Sequence, residues 1–259
     1  MTDTGHLIEV SSQAALEAGK AIMEIYRSGD FLTSIKSDNS PLTIADRSAH
    51  KIIKDYLGKT NLPVLSEEGR KIAYNERKLW EYFWLIDPLD GTKEFIKKNG
   101  EFTVNIALVH RGIPIAGVIY APYLDTLYYG SEETGIFKKE KEKFIQFSPL
   151  PQRKLFSVLL KSEHLRVVSS RSHPSPETTT FIKQFRKVNL VSLGSSLKFM
   201  LLLENRADIY PRPGTTMEWD TAAAHAILNA SNRGVYQMDL QSELIYNKPD
   251  LKNPFFIAF

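Results

Sequence analysis

A short apolar run that ends in acidic residues constrains this chain of 259 residues most. Trp84-Leu85-Ile86 has the composition of a buried strand, and Asp87-Pro88-Leu89-Asp90-Gly91-Thr92 follows it without a break. We expect the strand to stop at Asp87-Pro88, because proline has no amide hydrogen for a strand ladder. The sequence therefore predicts a turn with two carboxylates at the end of a buried strand, where open α/β folds place their ligands.

Asp87 and Asp90 allow more than one interpretation on this segment alone. Turns rich in Pro, Asp and Gly often carry acids that simply face water. A phosphatase of the haloacid dehalogenase type needs an acid two residues after its nucleophilic Asp, and here Leu89 or Thr92 stands there. An EF-hand loop also fails, because the alternating oxygen ligands and the closing Glu are absent. The other alternative is a site for a hard cation such as Mg²⁺, bound by both acids and the carbonyl of Leu89.

Two further acidic positions lie beside the ends of predicted elements. Glu67-Glu68 follows the short strand Pro63-Val64-Leu65, and Asp220 lies at the start of a predicted helix. Taken singly, the first is typical of a surface acid pair and the second of an acid in the first turn of a helix. Carboxylates ~4 Å apart repel by roughly 4 kcal/mol per pair at an effective dielectric of 20, and a divalent cation relieves that repulsion. If these acids meet, the pattern favours a metal site.

Hydrophobic periodicity predicts a mixed α/β chain. Apolar residues at three- and four-residue steps indicate helices at 6–28 and 45–57. An antiparallel sheet is predicted next, with a hairpin and its extension at 103–110, 114–120, 127–129 and 136–137. The second half alternates between strands at 165–169, 189–193 and 207–210 and helices at 175–185, 195–204 and 219–230. The last helix is expected to end near Gly234 with a left-handed residue.

The order of the predicted helices and strands suggests a division of the chain into two subdomains. Alternating strands and helices in the second half are typical of an α/β unit. We expect a first subdomain, residues 1–155, with the antiparallel sheet and most of the acids, and a second, residues 156–259, that completes the site. The charge run at 138–143 is predicted to be a solvated hairpin tip or linker.

Composition excludes several classes of function. The chain has no cysteine, so disulfides, zinc–thiolate sites, iron–sulfur clusters and cysteine nucleophiles are excluded. No segment approaches the ~20 apolar residues that span a bilayer. The first ten residues lack the apolar stretch of a secretory signal, and we expect a cytoplasmic protein. A net charge of +3 without a block of Lys and Arg predicts no binding to a nucleic acid polymer.

Four stretches together resemble the inositol monophosphatase superfamily of Mg²⁺-dependent, lithium-sensitive phosphatases. They are K-S-D-N-S-P-L-T-I-A-D at 36–46, L-S-E-E at 65–68, residues 84–108 with D-P-L-D-G-T, and residues 194–223 with G-S-S-L-K-F, Y-P-R and W-D-T-A-A. Residues 93–107 and G-S-S-L-K-F are similar to the 3′(2′),5′-bisphosphate nucleotidase branch of the bacterial CysQ type. The resemblance implies a layered α/β/α/β/α sandwich of the inositol monophosphatase and fructose-1,6-bisphosphatase type, with the site between two subdomains.

The resemblance also implies a ligand set for two Mg²⁺ ions. Glu67, Asp87 and the carbonyl of Leu89 would hold one ion. Asp87, Asp90 and Asp220 would hold the second, so that Asp87 bridges the two. A third, weaker ion is left open.

The resemblance implies a reaction in which water accepts the phosphoryl group. The transfer proceeds in line and without a covalent enzyme intermediate. Glu67 and Thr92 would orient that water. Asp46 and Glu68 would lie nearby, to serve the third ion or a water. The backbone of Gly91 and Thr92, at the start of a helical turn, would donate to phosphate oxygens.

The implied substrate is adenosine 3′,5′-bisphosphate, which loses its 3′-phosphate to leave AMP, with 3′-phosphoadenylyl sulfate as a second substrate. The reacting phosphate would lie against Glu67, Leu89, Asp90, Gly91, Thr92 and Asp220. The other phosphate requires a second anion site, and its candidates are Ser195, Ser196, Lys198 and Arg212, with Arg171 or His173. Arg suits bidentate phosphate contacts and Lys acts as a point charge, although each base taken singly is also typical of an ordinary surface.

Two other functions stay open at this point. An inositol or sugar monophosphate phosphatase would use the same metals and would not need Lys198 and Arg212 as anion ligands. A non-catalytic protein that binds metal or nucleotide on a phosphatase fold is the third alternative. The sequence carries no prediction of the oligomeric state.

Overall fold

The computed structural model describes residues 3–29, 31, 33–35, 41–169 and 175–259. Two long helices open the fold, α1 (Thr4–Ser28) and α2 (Ile44–Leu57), with the two-residue strands β1 (Ser34–Ile35) and β2 (Pro41–Leu42) between them. The side chain of Asp3 caps α1 by accepting from the amide of His6, and left-handed Gly29 ends it. Thr43 and Asp46 form a capping box at α2. The helices predicted at 6–28 and 45–57 are confirmed.

A seven-stranded sheet follows, in which neighbouring strands are also consecutive in the chain. Its strands are β3 (Val64–Ser66), β4 (Tyr82–Asp90), β5 (Thr103–His110), β6 (Ile113–Ala121), β7 (Thr126–Ser131), β8 (Gly135–Glu140) and β9 (Lys143–Phe147). The short helices α3 (Tyr74–Arg77) and α4 (Thr92–Ile96) flank β4 in the chain. Only β3 and β4 pair in parallel, and the rest of the sheet is antiparallel. The predicted hairpin and its extension are confirmed.

Strand β4 does not stop at Asp87-Pro88, so that expectation is wrong. Asp87 still pairs with Asn105 of β5, and Asp90 pairs with Thr103 after a shift of register between them. Proline is tolerated in a sheet at such an irregularity, where the missing amide hydrogen breaks no ladder bond. The shift holds both acids against β5 rather than in a free turn.

The second half contains five short strands and four helices among the described residues. The strands are β10 (Leu165–Val168), β11 (Val188–Val191), β12 (Tyr210–Arg212), β13 (Val235–Gln237) and β14 (Phe256–Ala258). The helices are α5 (Phe156–Leu160), α6 (Pro176–Ile182), α7 (Leu197–Leu203) and α8 (Ala222–Ala230). Strands β10 and β11 pair in parallel, and β14 lies between β12 and β13.

Two expectations for this half were wrong in detail. The strand predicted at 207–210 lies at 210–212, because the segment before it makes only an isolated bridge, from Ile209 to Val167. Helix α8 ends at Ala230, and the left-handed residue after it is Asn232 (φ 58°), not Gly234. Gly234 instead leaves room for the ring of Tyr236, which a Cβ there would meet.

Three apolar clusters stack these elements into layers. Helices α1 and α2 pack on one face of the large sheet, around residues such as Trp84 and Ile106. Helices α7 and α8 pack on its other face and also against the β12–β14 sheet. Gly117 in β6 permits the close approach of α8, since a Cβ there would collide with the backbone of Ala223. Helices α5 and α6 cover the outer side of the small strands through Phe156. The expected layered α/β/α/β/α sandwich is confirmed.

The charge run at 138–143 forms the end of β8, a tight turn and the first residue of β9, as the hairpin-tip interpretation expected. Lys138, however, is buried against Glu204, with Nζ 2.7 Å from Oε1. The prediction that the whole run is solvated is therefore wrong at Lys138. The subdomain division at residue 155 stays a prediction. Among the described residues, none of the helices has the length and apolar character that a membrane span requires.

Candidate active site

Acids from two distant parts of the chain meet at one end of the large sheet. Strand β4 carries Asp87 and Asp90, and a single 3₁₀ turn at Glu218–Asp220 carries Asp220. One carboxylate oxygen from each of these three aspartates lies within 4.8 Å of the others. The expected convergence of these acids therefore occurs, because the 3₁₀ turn that precedes α8 lies against β4 and β5.

Glu67 joins this cluster from the neighbouring strand. Its amide donates to the carbonyl of Ile86 at 3.2 Å, which continues the parallel pairing of β3 with β4 beyond Ser66. Besides burial, the negative charge of Glu67 raises the pKa of Asp87, so the two side chains act on one another. The group of Glu67, Asp87, Asp90 and Asp220 is called the acid cluster below.

The acid cluster is electrostatically strained without a cation. Burial raises the pKa of Asp87 well above its usual value, and the charges of Glu67 and Asp90 raise it further. Burial also raises the pKa of Asp220, with Asp90 as the next cause, while the amide of Met217 opposes the shift. Like charges in a shared site disfavour one another's ionised forms. A bound divalent cation would remove this penalty by pairing with the ionised oxygens.

Four donors hold Asp90 by a single oxygen. Oδ2 accepts from Ser195 Oγ at 2.5 Å, from the amide and hydroxyl of Ser196 at 2.9 and 3.0 Å, and from Asn105 Nδ2 at 3.3 Å. Oδ1 has no donor among the described residues. Asp220 is held similarly, since its Oδ2 accepts from the amide of Met217 at 2.8 Å. Each aspartate therefore keeps one oxygen for a ligand.

Ser196 connects the two halves of the acid cluster. Its hydroxyl lies 3.0 Å from Asp90 Oδ2 and 3.0 Å from the backbone carbonyl of Asp220. Asn105 Nδ2 donates to the hydroxyl oxygen of Ser196 at 2.9 Å. The sequence interpretation placed Ser195 and Ser196 at the second phosphate. It missed Asn105 and also Thr103, whose Oγ1 lies 2.5 Å from Ser195 Oγ. A polar Asn inside the buried apolar run of β5 was the available signal.

Thr92 and Asp46 form a separate pair beside the cluster. Thr92 Oγ1 lies 3.1 Å from Asp46 Oδ1 and 3.3 Å from the carbonyl of Leu89, and its one proton can go to either. The other oxygen of Asp46 accepts from the amide and hydroxyl of Thr43 at 2.7 and 2.6 Å. Asp46 is thus fixed by the start of α2, and it fixes Thr92 in turn.

The backbone around Leu89 and Gly91 is shaped for close approach. The amide of Leu89 donates to Asp87 Oδ1 at 3.1 Å, which turns its carbonyl away from the sheet ladder. Gly91 has φ +93°, and a Cβ there would lie 3.1 Å from the carbonyl of Glu101. Only glycine adopts this conformation without strain. The residue lets α4 begin directly after the acids.

A cavity of about 460 Å³ opens beside the acid cluster. Its wall combines acids of the cluster with three basic side chains, those of Lys97, Lys198 and Arg212, and it includes Asp90, Gly91, Ser195 and Asp220. Nζ of Lys198 lies 3.4 Å from the carbonyl of Ser195, and Nε of Arg212 is buried with no partner among the described residues. Arg171 and His173 lie outside the described residues.

The donor set fits a hard divalent cation. Every side chain of the acid cluster offers carboxylate oxygen, and the carbonyl of Leu89 lies at the same turn. Oxygen ligands suit Mg²⁺, Ca²⁺ and Mn²⁺, whereas zinc and iron sites use imidazole or thiolate. Oδ1 of Asp90 and Oδ1 of Asp220 accept no hydrogen bond from the described residues and are available to such a cation.

The 3₁₀ turn that carries Asp220 is anchored by a buried acid that the sequence interpretation missed. Glu218 is 0% exposed and accepts from the amides of Asn247 and Lys248 at 2.6 and 3.0 Å. Nζ of Lys248 lies 2.5 Å from its carboxylate. Burial raises the pKa of Glu218, against the effect of Lys248. These contacts hold the turn from behind and leave Asp220 directed at the cluster.

Sequence comparison places this fold and site in a known class. The model of the inositol monophosphatase family matches residues 3–254. The chain belongs to the inositol monophosphatase family, whose members depend on metal ions. The resemblance drawn from the four stretches is therefore confirmed.

Curated relatives within the family have a common name. The 3′(2′),5′-bisphosphate nucleotidase CysQ of Salmonella typhimurium is 43% identical over 255 residues, which cover 96% of this chain and 98% of that protein. The protein of the same name from Escherichia coli K12 is 43% identical over 89% of this chain and 90% of its own length. A crystal structure of CysQ from Bacteroides thetaiotaomicron superposes with a TM-score of 0.83 at 45% identity, covering 98% of this chain and 96% of that one.

Proposed function

We propose that this chain hydrolyses the 3′-phosphate of adenosine 3′,5′-bisphosphate to give AMP and phosphate, with Mg²⁺ as the cation. The observation that carries the proposal is the acid cluster beside a cavity that also holds Lys198 and Arg212. An acidic centre handles one phosphate through cations, and separate basic residues serve a second. The names of the relatives at 43% identity support the same substrate.

We assign two cations to the acid cluster. Glu67, Asp87 and the carbonyl of Leu89 would hold one, and Asp87, Asp90 and Asp220 the other. Such ions would supply positive charge for the transferring phosphate and would favour deprotonation of the attacking water. Glu68, whose amide lies 3.3 Å from Ser66 Oγ, is the candidate for a third ion.

The remaining steps rest on the chain's own groups. When Thr92 donates to Asp46, the lone pairs of its hydroxyl oxygen are free to accept from a water and so orient it. Glu67, in the turn that follows β3, accepts a hydrogen bond from the second proton of that water. Positioning of this kind supplies a large share of the rate in phosphoryl transfer. The amides at Gly91 and Thr92 then donate to phosphate oxygens.

The second phosphate would lie against Lys198 and Arg212, with Ser195 at the base of the cavity. Ser195 donates its proton to Asp90, and therefore it has no proton left to donate to a phosphate. The positive charges of Lys198 and Arg212 consequently provide the main attraction. A phosphatase for inositol or sugar monophosphates would not need them.

A panel of substrates tests the proposal. Phosphate release is measured with Mg²⁺ on adenosine 3′,5′-bisphosphate and on inositol 1-phosphate, each with and without Li⁺. We expect a kcat/KM at least 100-fold higher for the nucleotide, and inhibition by Li⁺. Equal rates would favour the monophosphatase, and binding of the nucleotide without any phosphate release would favour the non-catalytic alternative. A cytoplasmic location is part of the proposal as well.

A further inference from the structure

A second, smaller cavity adjoins the one proposed for the nucleotide. Its volume is about 70 Å³, and it shares three residues with the larger cavity. Hydroxyl-bearing side chains contribute most of the remaining polar wall. The shared residues are Lys198, Tyr210 and Arg212, and the hydroxyl groups belong to Ser169, Ser175 and Thr178.

Two donors in this wall have no hydrogen-bond partner among the described residues. They are the hydroxyl of Ser169 and Nε of Arg212. Ser169 is only 4% exposed, and a buried polar group without a hydrogen-bond partner destabilises a fold. The hydroxyl of Ser175, by contrast, accepts from the amide of Thr178 at 3.1 Å. The unused donors of Ser169 and Arg212 indicate a polar ligand that the cavity is built to receive.

The charge and size of the cavity select an anion. Lys198 and Arg212 are the charged residues of its described wall, and both are cationic. Lys198 Nζ makes one long contact, 3.4 Å to the carbonyl of Ser195, so it too can serve another acceptor. The volume exceeds the ~30 Å³ share of one water molecule and accommodates one tetrahedral oxyanion.

We propose that the small cavity binds the terminal oxyanion of a nucleotide 5′-phosphoanhydride, a sulfate or phosphate joined to the 5′-phosphate, with Ser169 and Arg212 as donors. The inference rests on the proposed function, in which Lys198 and Arg212 receive the 5′-phosphate in the larger cavity. Because both residues border both cavities, a group linked to that phosphate extends directly into the smaller one. Ser169 is then a residue that determines specificity at the 5′ end, and the chemistry at the 3′ end is unchanged.

Kinetics with three substrates test this assignment. The substrates are adenosine 3′,5′-bisphosphate, 3′-phosphoadenylyl sulfate and adenosine 3′-phosphate 5′-diphosphate. Ser169→Ala removes the hydroxyl with little change of volume, and Ser157→Ala, at an exposed position of α5, is the matched control. We expect Ser169→Ala to lower kcat/KM roughly tenfold for the extended substrates, the loss of one hydrogen bond to a charged group, and less than twofold for the bisphosphate. A loss confined to the sulfate or to the diphosphate identifies which group the cavity takes.

Two results would overturn the inference while the proposed function stands. An equal loss for all three substrates would assign Ser169 to the shared 5′-phosphate or to folding. Unchanged kinetics with all three would mean that the cavity holds only water. If the unmodified protein fails to release phosphate from adenosine 3′,5′-bisphosphate, the proposed function is wrong and the inference falls with it.

Discussion

The side-chain oxygens of Ser195 and Asp90 lie 2.5 Å apart and join residues separated by 105 positions in the chain. This hydrogen bond and those from Ser196 attach the start of α7 to the end of β4. The same short segment also carries Lys198, which borders the cavity. The proposed metal ligand Asp90 and the proposed anion site are therefore held together, and a change in the serines should affect both.

Ser196→Ala should weaken cation binding without removing a ligand. The variant loses the hydroxyl that contacts Asp90 and the carbonyl of Asp220, and Asn105 loses an acceptor. Loss of an outer-shell partner of a metal ligand typically costs 10–100-fold in metal affinity or activity. We expect a Mg²⁺ concentration for half-maximal activity about tenfold higher, measured by titration. Ser157→Ala, at an exposed position in α5, should leave the titration unchanged. An unchanged Mg²⁺ concentration for half-maximal activity in Ser196→Ala would show that Ser196 does not support cation binding.

Lys138→Met should destabilise the fold by about 3 kcal/mol, because removal of one partner leaves a buried charge uncompensated. Glu204, at the end of α7, then retains the hydroxyl of Tyr128 at 2.8 Å and the partly exposed Arg206 at 3.2 Å. Urea unfolding measures the change. The double variant Lys138→Met with Glu204→Gln should recover much of the loss, because the charges that then lose a partner, those of Glu140 and Arg206, are exposed to water. A single variant as stable as the unmodified protein would contradict the burial of this pair.

The buried pair of His225 and Glu243 should make the fold sensitive to acid in two steps. Burial lowers the pKa of His225 below 6.5, so the unfolded chain gains a proton that the folded chain does not, and stability falls below about pH 6.5. Although burial opposes it, hydrogen bonds from His225 and Arg153 lower the pKa of Glu243 from 4.5 to about 2. Its contribution is present above pH 4.5 and is lost as the pH falls towards 2.

Urea unfolding at a series of pH values measures both steps. Compared with the unmodified protein, Glu243→Gln should show a shallower loss of stability between pH 4.5 and 2, because a glutamine cannot take up the proton. His225→Gln should flatten the curve just below pH 6.5. If stability depended on pH in the same way in all three proteins, the pKa values of His225 and Glu243 would not be shifted in the folded protein as this prediction requires.

The elements that could be predicted from the sequence are those with strong local patterns. The apolar stripe of α1 and the hairpin of β5 and β6 are visible in short windows of the chain. The motif D-P-L-D-G-T indicated the acids of β4, and the structure gathers them with Glu67 and Asp220. The ligand roles assigned to these acids stay predictions.

The features that could not be predicted depend on contacts between distant segments. The continuation of β4 past Pro88 depends on pairing with β5, and no property of the turn itself reveals it. Lys138 looks like its neighbours in the charge run, and only the position of α7 makes it buried. Ser195 and Ser196 are ordinary loop residues until the fold brings them to Asp90.

Release of phosphate from adenosine 3′,5′-bisphosphate by Asp90→Asn, measured while Mg²⁺ is titrated, tests the central claim most directly. The substitution keeps the size of the side chain and an oxygen for the serine donors, but it removes one charge from the acid cluster. We predict that kcat/KM falls at least 100-fold and that the Mg²⁺ requirement rises, because we assign Asp90 to the cation that the proposed reaction needs. Activity and Mg²⁺ dependence close to those of the unmodified protein would contradict the account.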